Sequence, residues 1–436
     1  MRLIKAQAAK GDRDAMSLLD IPGDEAAWRS FYEYKQSLAL PKKFSQELQL
    51  FIDEKRYLPI AAAIRAGRAF PLPRKAAISK SGADRKRMVY TYPKDENTVL
   101  KLLTYRLLRK YDGIFAEGLF SFRPGRNAKG AVKYILRGGS AREQGGIHGQ
   151  GDIHGQGGIH AMHCYKVDIQ DYFNSIPAEQ FLPMLESCLA DDPELYGFLA
   201  GLLSEDRVLY HGETVVEKKG IMAGTPLSAF YANLYLSPLD RHFEEAGVLY
   251  ARYSDDIIVF AETGNEIRAH ADFIRDYIGK AGLSVNSSKE YFYAPGEGIV
   301  FLGFLMDGDR TDVAPVTIRK LKAKMRRKRD ALARWAKRRH LDGTKAAKAF
   351  VKVFNRKLFD CPDDDNELSW SRWFFPIINT TESLAVIDRY AEDCIRYLVS
   401  GRHTKARFNV RYGDIKALGF RSLVNEYYKG GSERQE

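Results

Sequence analysis

At 436 residues the chain is long enough for about three domains of ordinary size and can bury a core without disulfide or metal staples. Its 45% hydrophobic and 28% charged residues, with no apolar run near the about 18 residues of a membrane span, exclude membrane-embedded and disordered classes. The net charge of +12 points to an anionic partner, and +11 of it, from twelve Lys/Arg and one Asp, sits in residues 319–340. The opening MRLIKAQAAKGDRD has no secretory apolar stretch, which predicts a cytoplasmic protein with no membrane partner. Cys164, Cys188, Cys361 and Cys394 stand singly and read as reduced structural thiols.

In chain order, residues 1–75 read as an N-terminal helical extension that ends at the proline-flanked PLPRK. Residues 76–165 alternate a basic loop, the β-rich MVYTY and two amphipathic helices, VLKLLTYRLLRKY and NAKGAVKYIL. Within them, residues 145–162 repeat GGIHGQ, GDIHGQ and GGIHAM, a unit too short and glycine-rich to bury a face, so a flexible loop is expected. Its His148, His154 and His160, with nearby His163, raise a metal site, but ordering so many glycines makes chelation costly and duplication explains the repeat.

From 166 to 310, CYKVDI, VLYHG, VLYARYSDDIIVFAE, YFYAP and IVFLGFLM read as strands, and LSAFYANLYLSPLDRHFEEAG and NEIRAHADFIRDYIGKAG as helices. Residues 311–436 read as wholly helical, with a capping-box pattern at Asn379, Thr380, Thr381 and Glu382 and with Trp335, Trp370 and Trp373 as core anchors. In the basic segment Ile318, Leu321, Met325, Leu332 and Trp335 fall at helical spacing under a wide cationic face. Taken alone, such a run is a solvated surface helix.

The chemistry is concentrated in acids. LYARYSDDIIVFAE sets Ser254, Asp255 and Asp256 between two β-prone runs, predicting a hairpin whose tip exposes adjacent carboxylates. Asp168 ends a second short strand in CYKVDIQDYFNSIP. Carboxylates drawn together repel and raise each other's pKa unless a divalent ion neutralises them, and Mg²⁺ is the hard ion suited to oxygen and phosphate ligands. Two such ions about 3.5 to 4 Å apart can activate a 3′-hydroxyl and stabilise leaving pyrophosphate.

Tyr253-Ser254-Asp255-Asp256 resembles the YxDD motif of reverse transcriptases, and further blocks follow in the family's order. LFSFRPGRNAKGAV resembles the FRPGR-type block, KVDIQDYFNSI motif A, GIMAGTPLSAFYANLYL motif B, GLSVNSSKEYFY motif D and FLGF the primer grip. The resemblance spans about Lys80 to Phe304. It implies an α+β right-hand polymerase fold: fingers over 76–165, a palm with an antiparallel sheet over 166–310, and a helical basic thumb and C-terminal domain over 311–436.

Carried over by position, Asp168, Asp255 and Asp256 are the expected catalytic metal ligands, with the Ile169 carbonyl as a further one, for two Mg²⁺ ions or Mn²⁺ in their place. Phe173 matches the gate that excludes a 2′-hydroxyl, which makes deoxynucleoside triphosphates the implied substrates; taken alone it is an ordinary core aromatic. Lys80 and Arg87, with Arg85 and Lys86 as rivals, match the loop that closes on the triphosphate. Lys289 matches the motif D lysine, a candidate general acid, and Gly224 would let the backbone approach the nascent base pair. Asp171 reads as a surface or helix-start acid. The basic segment would hold template and product phosphates through Arg319, Lys320, Lys322, Arg326, Arg327 and Arg329.

Motif B departs from QGxPxSP, reading Ala223-Gly224-Thr225-Pro226-Leu227-Ser228-Ala229, so a side-chain amide for nucleotide or template is missing. Additional retron signatures and a Cys/His-rich endonuclease tail are not found, which ranks the defence-associated reverse transcriptases of bacteria ahead of retron and intron enzymes. The expected partners are therefore an RNA template, in the form of a non-coding RNA, and a DNA product, with the C-terminal helices as an added RNA-binding or self-association surface. Template-independent or protein-primed synthesis and a catalytically decayed RNA-binding scaffold are the alternatives.

Overall fold

The computed structural model describes residues 17–38, 42–79, 86–139, 158–218, 220–360 and 369–432. Residues 145–157 of the histidine repeat, Lys80, Arg85 and Cys361 lie outside them. The protein is mixed α+β and divides into two compact units: Pro295 is the last residue of the first and Gly296 opens the second.

The first unit begins with α1 (Glu25–Ser37), α2 (Lys42–Asp53) and α3 (Tyr57–Arg65). Asp24 caps α1 by accepting from the Ala26 amide, and the helix buries Trp28 and Phe31. The Trp28 ring packs edge-on to Phe51 at 5.2 Å and against Tyr57 at 5.3 Å, so the N-terminal helices share one core with the rest of the unit. Next come the hairpin β1 (Arg74–Ser79) and β2 (Lys86–Thr91), then α4 (Lys94–Lys110) and α5 (Ala128–Leu136), the latter capped by Asn127.

β3 (His163–Asp168) leads through a short helix, α6 (Tyr172–Ser175), to α7 (Ala178–Cys188), α8 (Pro193–Ser204) and the hairpin β4 (Arg207–Tyr210) and β5 (Glu213–Val216). The run expected as one helix from Leu227 is two, α9 (Ser228–Tyr235) and α10 (Ser237–Glu245). Pro238 in the first turn of α10 has no N–H to continue the ladder, so the break falls at Leu236. β6 (Tyr250–Tyr253), β7 (Asp256–Ala261), α11 (Gly264–Lys280) and β8 (Tyr291–Tyr293) complete the unit, α11 starting in a capping box of Thr263 and Glu266.

Two four-stranded sheets result, one ordered β2-β1-β4-β5 and one β6-β7-β3-β8. Every pairing in the second is antiparallel. Its central strands are apolar runs because both faces are covered: Cys164, Tyr165, Val167 and Ile257 to Phe260 are all buried.

The second unit is a three-stranded antiparallel sheet of β9 (Ile299–Phe301), β10 (Phe304–Asp307) and β11 (Arg310–Val313), followed by α12 (Pro315–Arg338), α13 (Gly343–Phe359), α14 (Trp370–Phe374), α15 (Glu382–Ser400), α16 (Tyr412–Ala417) and α17 (Leu423–Ser432). Strand structure thus persists to Val313, beyond the helical start expected at Thr311. The capping box expected at 379–382 does not form. Asn379 is drawn into the β10–β11 turn, where its side chain accepts from the Thr311 amide at 2.8 Å and donates to the Asp309 carbonyl at 2.6 Å, and Thr380 rather than Thr381 accepts from the Glu382 amide.

Trp335, Trp370 and Trp373 are half-buried rather than central. Phe301, Phe304, Leu321, Met325, Ile387 and Ile395 form the core instead, and Ala336 takes the buried place beside Trp335. Cys164, Cys188 and Cys394 are buried and unpaired. Among the described residues no helix is long and apolar enough to cross a membrane.

Candidate active site

The site is built by one strand pairing. β3 runs antiparallel to β7 in a register that sets Asp168 directly opposite Asp256. The Ile169 amide donates to the Asp255 carbonyl at 3.1 Å, which makes Asp168 and Asp256 a non-hydrogen-bonded pair, the type whose Cα atoms stand closest, about 4.5 Å apart. Tyr253 pairs with Asp256 across β6 and β7, leaving a two-residue turn of Ser254 and Asp255. Ser254 sits at φ +61°, left-handed backbone that normally calls for glycine. The expected hairpin is present, but its tip is not laid open to solvent: Ser254 and Asp168 are buried and the other two acids are half-buried.

Like charges directly opposite on a sheet destabilise it. Burial, followed by the charges of Asp168 and Asp256, pushes the Asp255 carboxyl up to about 6. Positive groups answer this. Lys289 Nζ lies 2.7 Å from Asp168 Oδ2, and Asn286 Nδ2 donates to Oδ1 at 3.2 Å. Burial alone would lower the Lys289 ammonium, yet its bond to Asp168 and the charges of Asp255 and Asp256 raise it overall. Lys166, two residues before Asp168 and so on the same face of β3, reaches to 3.8 Å from Asp256.

These are hard oxygen donors on a patch that already attracts a cation, the chemistry that suits a divalent metal. Among the described residues no group of three carboxylate, histidine or cysteine side chains is gathered closely enough to hold an ion as it stands, and Asp168 is engaged by Lys289 and Asn286. Ile169 is buried beside the acids. His160 and His163 belong to no such group either.

The nucleotide candidates form a neighbouring cluster. Phe173, half-buried on α6, has its ring 5.9 Å from the Arg87 guanidinium and 6.3 Å from the ring of Phe122. Gly224 sits at φ +98°, and a Cβ there would lie 3.1 Å from the Tyr90 carbonyl oxygen, so packing against β2 already requires glycine. Ala223, where the family's glutamine is missing, is buried, its carbonyl accepting from the Tyr90 amide at 2.8 Å. Asp171 is exposed at the N-cap of α6.

The segment holding both clusters, residues 78–306, matches the reverse transcriptase (RNA-dependent DNA polymerase) family. The chain belongs to the reverse transcriptase family. Members of this family work with divalent metal ions. The retron Ec86 reverse transcriptase of Escherichia coli is 23% identical over 165 residues, 36% of this chain and 47% of that protein, so the match spans about half the relative's length. This relative is a retron enzyme, the lineage that the motif departures rank second. Apo telomerase from Candida tropicalis, truncated from its C-terminal domain, superimposes with a TM-score of 0.43 and 10% identity over 56% of this chain and 55% of that one.

In the second unit the basic residues expected to meet phosphate lie on α12. Arg319, Lys320, Arg326 and Arg327 are exposed. Arg329 is not on that face: it pairs with Asp330 at 2.7 Å and stacks 4.9 Å from the Tyr397 ring, while Lys322 lies 5.4 Å from the Tyr390 ring, so both turn towards α15.

Sequence reasoning missed the group that holds the reverse transcriptase turn from behind. Arg252, wholly buried, donates through Nε and Nη2 to the Asp240 carboxylate at 2.6 and 2.5 Å, through Nη1 to the Ser254 carbonyl at 3.2 Å and through Nη2 to the Asn233 carbonyl at 3.2 Å. Tyr250 adds a hydroxyl to Asp240 at 2.8 Å. One guanidinium thereby ties the turn to α9 and α10. The available signal was Arg252, a charged residue inside the otherwise apolar and aromatic run VLYARY; Asp240, followed by Arg241 and His242, gives none.

Arg252→Met should cost about 3–5 kcal/mol in urea unfolding, because it strands the buried Asp240 carboxylate, and adding Asp240→Leu should recover most of that loss. A second outcome concerns pH. The folded chain holds the Asp255 proton more tightly than the unfolded chain does, so ionisation destabilises the metal-free protein as pH rises from about 4 through 6. In EDTA, Asp255→Asn should therefore melt higher than wild type at pH 7, with the difference shrinking towards pH 4; a constant difference would contradict the assignment.

Proposed function

We propose that this chain is an RNA-directed DNA polymerase whose nucleotidyl transfer occurs at Asp168, Asp255 and Asp256. The observation that carries the reading is the pairing of Asp168 with Asp256 beside the Asp255 turn, inside the segment that matches the family. These acids, with the Ile169 carbonyl, would hold Mg²⁺, or Mn²⁺ in its place, and such an ion supplies charge neutralisation for the 3′-hydroxyl and the leaving pyrophosphate.

The chain's own groups divide the remaining work. The Phe173 ring would pack against the deoxyribose and leave no room for a 2′-hydroxyl, and Arg87 beside it is a bidentate donor for the triphosphate. Lys289 holds a proton at Nζ beside Asp168, where it can serve as general acid to pyrophosphate. Arg319, Lys320, Arg326 and Arg327 offer a cationic face to template and product phosphates. In this reading residues 76–165 serve as fingers, 166–310 as palm and 311–436 as thumb and C-terminal domain.

A non-coding RNA as template and a role in antiviral defence complete the proposal, and both draw on the ranking of the defence-associated enzymes ahead of retron and intron ones. A second reading, template-independent or protein-primed synthesis, draws on Ala223, whose methyl group offers no hydrogen bond to a template base.

The test supplies purified protein with an RNA template, an annealed DNA primer, deoxynucleotides and Mg²⁺. Asp255→Asn with Asp256→Asn should reduce synthesis by about 10³-fold or more, the equivalent of several kcal/mol of transition-state stabilisation. A product complementary to the RNA supports templated copying, a biased or random polymer supports the second reading, and undiminished synthesis by the double variant defeats both. Protection against phage should disappear in the same variant. Phe173→Val should narrow discrimination against ribonucleotides by about 10- to 200-fold, the range of a single pocket contact, and unchanged sugar selectivity would remove Phe173 from the gate.

A further inference from the structure

A second concentration of charge in the first unit is not used by the chemistry above. α1 and α4 bring Lys35, Lys101 and Arg109 around a recess of about 170 Å³ whose walls include Tyr34, Tyr105, Phe122 and Pro226. The cations meet rings rather than acids. Arg109 stacks 3.7 Å from the Tyr105 ring and 4.4 Å from that of Tyr34, Lys35 Nζ lies 5.3 Å from the Phe31 ring, and Lys101 Nζ lies 5.2 Å from the Phe44 ring. Glu47, whose charge reaches Lys101, is itself ion-paired with Lys94 at 3.0 Å. Cation–π contacts position these side chains but leave their net charge in place. Burial, then the charges of Lys101 and Arg109, pushes the Lys35 ammonium down to about 8, and burial lowers Lys101 as well. Half-buried like charges of this kind cost stability until an anion joins them.

The position of the recess narrows the choice of anion. Phe122 stands at its edge, 41% exposed, with its ring 6.3 Å from that of Phe173. Pro226 is two residues from Gly224. The recess thus adjoins the residues assigned to the nucleotide, where a strand that presents a base for copying would continue. An exposed aromatic ring beside cations suits an unpaired base and its phosphate, whereas the bases of a duplex are stacked away inside it.

We propose that Lys35 and Lys101 hold a phosphodiester of the single-stranded RNA template at this recess, with the Phe122 ring available to the adjoining base. The proposal rests on the polymerase reading for the word template. Its chemistry, a single-stranded polyanion, is tested without synthesis.

The probe is a labelled single-stranded RNA oligonucleotide, titrated over a range of KCl in EDTA against wild type and the double variant Lys35→Gln with Lys101→Gln. Arg109 is left in place to keep α1 stacked on α4. Each phosphate neutralised on a single strand contributes about 0.7 to the slope of log affinity against log salt, so the double variant, which gives up one phosphodiester, should lose about 0.7 from that slope. The variant Lys35→Arg with Lys101→Arg should restore it. Because a repulsion is removed, the glutamine variant should melt no lower than wild type. An unchanged slope would overturn the proposal, as would a lower melting temperature with RNA affinity intact, which signals a purely structural cluster. Equal weakening on a blunt duplex, or weakened deoxynucleotide binding with RNA binding unaltered, overturns it too. Synthesis by wild type with an unmoved slope sinks only the recess; synthesis that survives loss of Asp255 and Asp256 sinks only the polymerase reading.

Discussion

Everything at the candidate centre depends on the register between β3 and β7. Side chains alternate across a strand, so a slip of one residue would turn Asp168 away and present a neighbouring apolar residue, Val167 or Ile169, in its place. That register is defended by the apolar face turned away from the acids, with Val167 opposite Ile257 and Tyr165 opposite Val259, all buried. Hydrophobic burial therefore fixes the meeting of two like charges that electrostatics alone would separate. The surrounding Lys289, Asn286 and Lys166 are the local response to that enforced meeting.

The buried Arg252 and Asp240 pair acts on the same turn from the opposite side. A buried ion pair is seldom a net source of stability, because desolvation offsets its attraction. Its contribution here is geometric: a rigid, planar donor set satisfies the Ser254 carbonyl, the Asn233 carbonyl and a carboxylate together, in a place where water does not reach. Ser254, held in left-handed backbone without being glycine, is where such an anchor is needed.

The strands around the acids were legible in the sequence because their period and apolar content are strong, and the acids stand out as charges at strand ends. The order of the motif blocks alone points to the family. The break between α9 and α10 was written in Ser237-Pro238 but hidden by the apolar continuity on either side. Asn379 illustrates what local pattern cannot supply: its side chain is claimed by β11 and the turn before it, dozens of residues earlier in the chain, so a sound capping motif goes unused. The same holds for Arg252, since the partner that makes its burial tolerable is twelve residues away on another element. Arg329 reads as one more surface cation until Asp330 and Tyr397 are placed beside it.

Because the centre is aligned by strand pairing and not by distance along the chain, sequence length is constrained very unevenly. The six-residue repeat ends at Met162, directly before His163, and its last unit contains the short turn Gly158–Ala161. A gene could gain or lose whole copies there without disturbing which acid faces which. Within Tyr253 to Asp256, by contrast, a single-codon insertion would rotate one acid out of the cluster. Length variation among descendants of this sequence should therefore gather in the histidine repeat and spare the hairpin, a pattern of drift dictated by pleat geometry.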